Sequence, residues 1–205
     1  MRKSIFTEHK RYTFSDYFNF ANPIEEIIAE LGYTLCFETI DFTSDKPIDS
    51  IIVNKLQDFY YQLLPKISTN SEIAKREFMI APVLHEIILN VDAKLNVEYP
   101  IDINEKLNGV LDYFIQAKQQ VVVIEAKKSD LDQDFNQLAA EMIALDQYEQ
   151  DTTPTMIYGA ITIGEVWRFA ILDRQQKQIT KDINLFRFPQ DTQDIVSILL
   201  NILKN

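Results

Sequence analysis

The spacing of apolar positions changes several times along the chain, and each change predicts an element. Residues 22–31 predict a helix with clear punctuation: Asn22 can cap it, Pro23 suits the first turn and Gly32 suits the exit. A strand-like run follows at 33–42. Pro47 opens a second helix that runs to about Leu64 and is ended by Pro65. Residues 71–91 predict a third helix, capped by Ser71, with Ile73, Ile80, Leu84, Ile87 and Val91 on one stripe. Pro82 lies inside that helix and should kink or split it. Lys94–Ile103, Leu107–Ala117 and Gln119–Ala126 then read as successive strands. An amphipathic helix covers roughly 130–149, with Leu131, Phe135, Leu138, Met142 and Leu145 on one stripe. Met156–Ile163 and Val166–Leu172 form a strand pair turning at Gly164-Glu165, and a shorter strand near 183–188 precedes a capped helix from Asp191.

This order predicts an α/β fold: a central mixed β-sheet of about five strands flanked by helices. The helix between the third and fourth strands is a crossover, so those strands can run parallel. At 205 residues the chain fits one domain, read as an N-terminal elaboration over 1–70 and a core over 71–205. There are no repeats, no low-complexity segment and no long linker.

Composition narrows the chemistry. Hydrophobic residues make up 46%, as expected of a globular core, and Gly is scarce at four, which argues against Gly-rich phosphate loops. Cys36 is the lone cysteine; it excludes an internal disulfide framework and reads as a small core residue. Two histidines, His9 and His85, are too few for a His-rich zinc site. No apolar stretch approaches the ~20 residues that span a bilayer, and the basic N-terminus lacks the apolar core of a signal peptide. A cytoplasmic location, with no membrane partner, is the default expectation. The net charge of −11 counts against tight non-specific DNA binding. It does not exclude a nuclease, because carboxylates gather at metal sites and the ion changes the charge that phosphate meets.

The chemically informative stretch is Gly109-Val110-Leu111-Asp112-Tyr113 followed by Val121-Val122-Val123-Ile124-Glu125-Ala126-Lys127. A β-branched run leads straight into Glu125, as in a strand buried on both faces. Glu125 and Lys127 then project to one side, roughly 7 Å apart by strand rise. Asp112 lies within reach if the two strands form a hairpin. Two carboxylates can hold Mg²⁺ through oxygens at about 2.1 Å while leaving room for water and phosphate. Such an ion stabilises phosphoryl charge and lowers the pKa of a bound water. Lys127 can orient or activate that water, or neutralise phosphate.

The run from Asp112 to Glu125-Ala126-Lys127 resembles the core signature of the PD-(D/E)XK nucleases, which are restriction-endonuclease-like in fold. Gln137, on the helix after the strand, and Glu77, on the stripe of the helix before it, extend the resemblance. Tyr158–Phe169 is similar to the strand pair of nuclease domains related to the N-terminal part of type I restriction motor subunits, so the likeness spans roughly 71–172. It implies phosphodiester cleavage, in DNA rather than RNA, with magnesium or with manganese in its place. It assigns Asp112, Glu125 and the Ala126 carbonyl as metal ligands and Lys127 as the catalytic lysine. A homodimer or a protein partner is compatible with it. Leu111 stands where the family often has Pro, and residues 1–70 match no catalytic pattern.

Blander readings stand beside these. Glu77 also reads as a rim position, with Glu72 competing for its role, and Gln137 as a polar helix flank. Glu141, one turn on, is a weaker candidate. Trp167 and Phe169 alternate as core residues do, and packing accounts for Tyr113 and Tyr158 as well as a cleft does. The alternative function is a catalytically silent nuclease-fold module that binds a partner protein.

Overall fold

Strand order decides where the acidic residues meet. A computed structural model describes residues 4–42, 50–118, 120–126, 131–148 and 154–204. Its strands are β1 (Thr34–Glu38), β2 (Ala93–Asp102), β3 (Asn108–Ala117), β4 (Val121–Ala126), β5 (Met156–Thr162), β6 (Val166–Asp173), β7 (Gln178–Asp182) and β8 (Phe186–Arg187). They form one 8-stranded sheet in the order β1-β7-β6-β5-β4-β3-β2, with β8 against β6. β4 and β5 run parallel, as do β1 and β7; the other neighbours are antiparallel.

The architecture is therefore α/β with a mixed sheet, wider than the five strands expected. The extra width comes from β1, β7 and β8. In β7, Gln-Ile-Thr-Lys-Asp carries little apolar signal, and its pairing with β1 joins segments far apart in sequence. The strand anticipated at 183–188 is replaced by β7 before it and the short β8 within it.

Helices cover both faces. On one lie α1 (Ile24–Glu30), a 3₁₀ turn (Phe14–Asn19) and α5 (Leu131–Tyr148); on the other lie α2 (Ser50–Leu63), α4 (Ala81–Ile88) and α6 (Thr192–Lys204). Strand β4 sends Val123 into the first core and Val122 and Ile124 into the second. That two-sided burial is why its first four residues are β-branched. Phe6, Tyr12, Phe14 and Tyr17 pack in the same core as Phe114 and Val123, and β1 is part of the sheet. Residues on both sides of position 70 thus share one core.

The segment expected as one helix over 71–91 is split. Ser71 caps α3 (Glu72–Lys75), a π-helical turn follows (Arg76–Ile80), and Pro82 lies in the first turn of α4. Proline has no N–H and crowds the carbonyl four residues back, so a widened turn just before it relieves the conflict. Gly32 leaves α1 with φ +88°, as its position requires, whereas Asn22 bonds the Glu26 carboxylate instead of capping backbone. Cys36 is half-buried on β1, with Sγ 3.1 Å from Thr180 Oγ1, rather than in the core. No helix among the described residues is long and apolar enough to cross a membrane.

Helix α5 is buried around its whole circumference from Asp134 to Asp146, although its sequence shows a single apolar stripe. Gly159 explains how closely it lies on the sheet: a Cβ there would sit 2.5 Å from Met142 Sδ and 3.3 Å from Leu138 Cδ1. This close seat buries the polar residues Gln137 and Glu141 beside the end of β4.

Candidate active site

Strand β3 parts from both of its neighbours at Asp112. On the β2 side, Val97 pairs with Tyr113 and Tyr99 with Leu111, while the register skips Glu98 and Asp112. Glu98 has φ +53°, a left-handed conformation uncommon for a residue with a side chain. On the β4 side, regular pairing runs as far as Tyr113 opposite Ile124. At the next level the Ala126 N–H donates to Asp112 Oδ2 at 2.9 Å. Leu111 packs in one core and Tyr113 in the other, although residues two apart on a regular strand share a face. The chain therefore rotates at Asp112 and turns its carboxylate towards β4.

Glu125, 1% exposed, extends from β4 towards α5. The Gln137 amide Nε2 donates to Glu125 Oε1 at 2.6 Å and to Glu141 Oε1 at 2.8 Å. Gln137 and Glu141 meet because residues at i and i+4 stack on one helix face. Gln137 Oε1 and Glu141 Oε2 are buried without a hydrogen-bond partner among the described residues. Burial, and then the adjacent Glu125 charge, push the Glu141 carboxyl well above the usual carboxylate range. A buried carboxyl beside a second carboxylate favours its protonated form.

Opposite this cluster stands Arg76, the first residue of the π turn. Its Nη1 lies 3.2 Å from Asp112 Oδ1 and its Nη2 2.5 Å from Glu98 Oε1. The guanidinium sits 5.4 Å from the Tyr113 ring centroid, and the Tyr113 hydroxyl donates to the Arg76 carbonyl at 3.4 Å.

Asp112, Glu125, Ala126 and Gln137 are thus brought together. Lys127 follows β4 directly but lies outside the described residues. Glu77 is exposed, and its charge helps raise the Tyr113 phenol, whose pKa is lifted chiefly by burial. Its neighbour Arg76, not Glu77, reaches Asp112. Glu72 is half-buried at the start of α3. Trp167 and Phe169 are core residues, and Tyr158 is half-buried against the same core. Sequence reasoning missed Arg76 and Glu98 and underrated Glu141; the i, i+4 spacing from Gln137 was the signal for the last.

Whether these groups suit a divalent cation is a question of donors. Asp112, Glu125, Glu141 and the Gln137 amide offer oxygen only, which is what Mg²⁺ prefers. Gln137 Oε1 and Glu141 Oε2 are buried acceptors with lone pairs to spare, and burial raises the Glu141 carboxyl. The donor chemistry fits, yet among the described residues no three Asp, Glu, His or Cys side chains stand as a ready-made cation cluster. Arg76 occupies one side of Asp112. Compared with known protein families and with curated protein sequences, the chain matches no family model and no curated protein.

Proposed function

We propose that this chain is a metal-dependent nuclease of restriction-endonuclease-like fold, hydrolysing phosphodiester bonds in DNA rather than RNA. One observation carries the reading: buried Glu125 and Glu141 share Gln137 beside Asp112, at the end of an apolar strand. A cluster of acids so costly to bury is retained where a cation belongs. Asp112, Glu125 and the Ala126 carbonyl would hold Mg²⁺, or Mn²⁺ in its place, with Glu141 behind Glu125. Such an ion supplies Lewis-acid stabilisation of phosphoryl charge and makes water a stronger acid.

The chain's own groups do the rest. The Ala126 N–H fixes Asp112, and Gln137 fixes Glu125, so neither carboxylate must reorganise as charge develops. Burial beside Glu125 raises the Glu141 carboxyl and favours its neutral form, which limits the repulsion behind Glu125. Lys127, two residues beyond Glu125, is assigned by resemblance to orient water and meet phosphate. Since the chain carries a net charge of −11, affinity for a polyanion is expected to come from a second copy or a protein partner.

The second reading, a silent binding module, is favoured by the Arg76 contact on Asp112. A cleavage assay on plasmid, single-stranded DNA and RNA, with Mg²⁺ or Mn²⁺, separates the two. The enzyme cuts DNA only with metal, and Glu125→Ala and Lys127→Ala each lower the rate by about 100-fold or more. Lys127→Ala retains Mn²⁺ binding, whereas Glu125→Ala loses it. Mn²⁺ binding without cleavage of any substrate supports the silent module.

A further inference from the structure

We propose that Arg76 is a two-position arginine: it neutralises Asp112 and Glu98 while the site holds no cation, and it grips a phosphate of the nucleic acid once Asp112 serves the cation. This inference rests on the nuclease reading and names the group that positions the substrate backbone.

The geometry favours both positions. Arg76 is 17% exposed and Asp112 14%, so their contact is partly shielded from water, but Glu98, on the other side of the guanidinium, is 56% exposed and held in an ion pair open to solvent. The base of the arginine is anchored, because its carbonyl accepts from Tyr113 and the Tyr113 ring lies beside the guanidinium. Only the far end of the side chain needs to move. Both supports are unusual: Arg76 begins a π-helical turn, and Glu98 has a left-handed backbone. Such features concentrate at functional sites, since their cost persists only where surroundings enforce it.

Charge drives the exchange. Asp112 cannot fully serve a guanidinium and a divalent cation together, and two cations a few ångströms apart repel in a partly buried site. Cation binding therefore releases Arg76 at the time a phosphodiester arrives. Its planar fork of N–H donors suits two phosphate oxygens, which a lysine's point charge does not match.

The test measures Mn²⁺ affinity by calorimetry without nucleic acid, then binding of a labelled DNA duplex at several salt concentrations with Ca²⁺ as the ion. Arg76→Ala is expected to tighten Mn²⁺ binding about 3-fold or more, because a competitor for Asp112 is gone. The same variant should weaken DNA binding about 10-fold and lower the slope of log affinity against log salt by about 0.9, the loss of one phosphate contact. Arg76→Lys should keep Mn²⁺ affinity near wild type and lose part of the DNA affinity. Weaker Mn²⁺ binding in a folded Arg76→Ala protein overturns the proposal, as does an unchanged salt slope. If Arg76→Ala does not fold, Arg76→Gln is judged by the same two readouts. A wild-type protein that binds no Mn²⁺, or binds it equally well as Glu125→Gln, sinks the nuclease reading itself; loss in Glu125→Gln with no Arg76 effect sinks only this inference.

Discussion

Two of the buried acids on helix α5, Asp146 and Glu141, stand in opposite circumstances. Asp146 accepts from the Tyr33 hydroxyl at 2.5 Å, from Arg174 Nε at 2.7 Å and from Lys177 Nζ at 3.0 Å, while Arg174 Nη2 also reaches its backbone carbonyl. Against the cost of burial, these donors hold its carboxyl below the usual range. Glu141, further back on the same helix, meets one amide donor and another carboxylate, and its carboxyl is pushed up. A buried acid among donors ties elements together. A buried acid beside another acid opposes burial of its charge instead.

The largest expected effect breaks the satisfied acid. Asp146→Ala takes the carboxylate away from the buried Arg174 guanidinium, a loss of about 3 kcal/mol or more of unfolding free energy in urea titrations. Mn²⁺ affinity of the folded protein should stay unchanged. A cost below about 1 kcal/mol would mean that Arg174 relaxes into solvent and that the contrast between the two acids is overstated.

The second effect reads the sign of the two titrations. Glu141 has a raised carboxyl in the fold, so its contribution is full below the unfolded value of about 4.5 and is lost as pH rises. Asp146 is the reverse: its contribution is present above about 4 and is lost as pH falls below that. Without metal, stability should therefore decline as pH rises above about 4.5, by at most about 1.4 kcal/mol per pH unit from this group. Glu141→Gln should flatten that decline, and Mn²⁺ should reverse it in the wild type. Equal slopes in wild type and Glu141→Gln, measured by urea denaturation, would mean that the Glu141 carboxyl is not raised.

The same contrast explains what was legible in the sequence. Asp112, Glu125 and Gln137 stand on elements whose periodicity is strong, and their meeting follows from a hairpin and a crossover helix. Gln137 also read as a polar flank and Glu141, one helical turn beyond it, as a weaker candidate, because a single apolar stripe does not reveal a helix enclosed on every side. Arg76 and Glu98 were illegible. Arg76 joins Glu98 to Asp112 at the level where regular β2–β3 pairing lapses, and nothing in Val97-Glu98-Tyr99 announces that lapse. β7 was missed for a related reason: its partner β1 is distant along the chain, and long-range pairing overrides weak local preference.

The smallest expected effect concerns Glu77, the acid that the sequence placed at the site. Being exposed, it should tolerate Glu77→Ala with a stability change within about 0.5 kcal/mol and Mn²⁺ affinity within about twofold. Adjacent helical residues diverge by roughly 100°, so Arg76 and Glu77 cannot both face Asp112 at once. A π turn holds one residue more than an α turn needs, and tightening it would rotate the residues that follow. Calorimetry on Glu77→Ala distinguishes the two arrangements. A tenfold loss of Mn²⁺ affinity would mean that the turn rewinds when the cation binds and exchanges the arginine for the acid beside it. An unchanged affinity leaves Arg76 as the side chain of this turn that answers to the site's charge, and the acidic cluster complete in β3, β4 and α5.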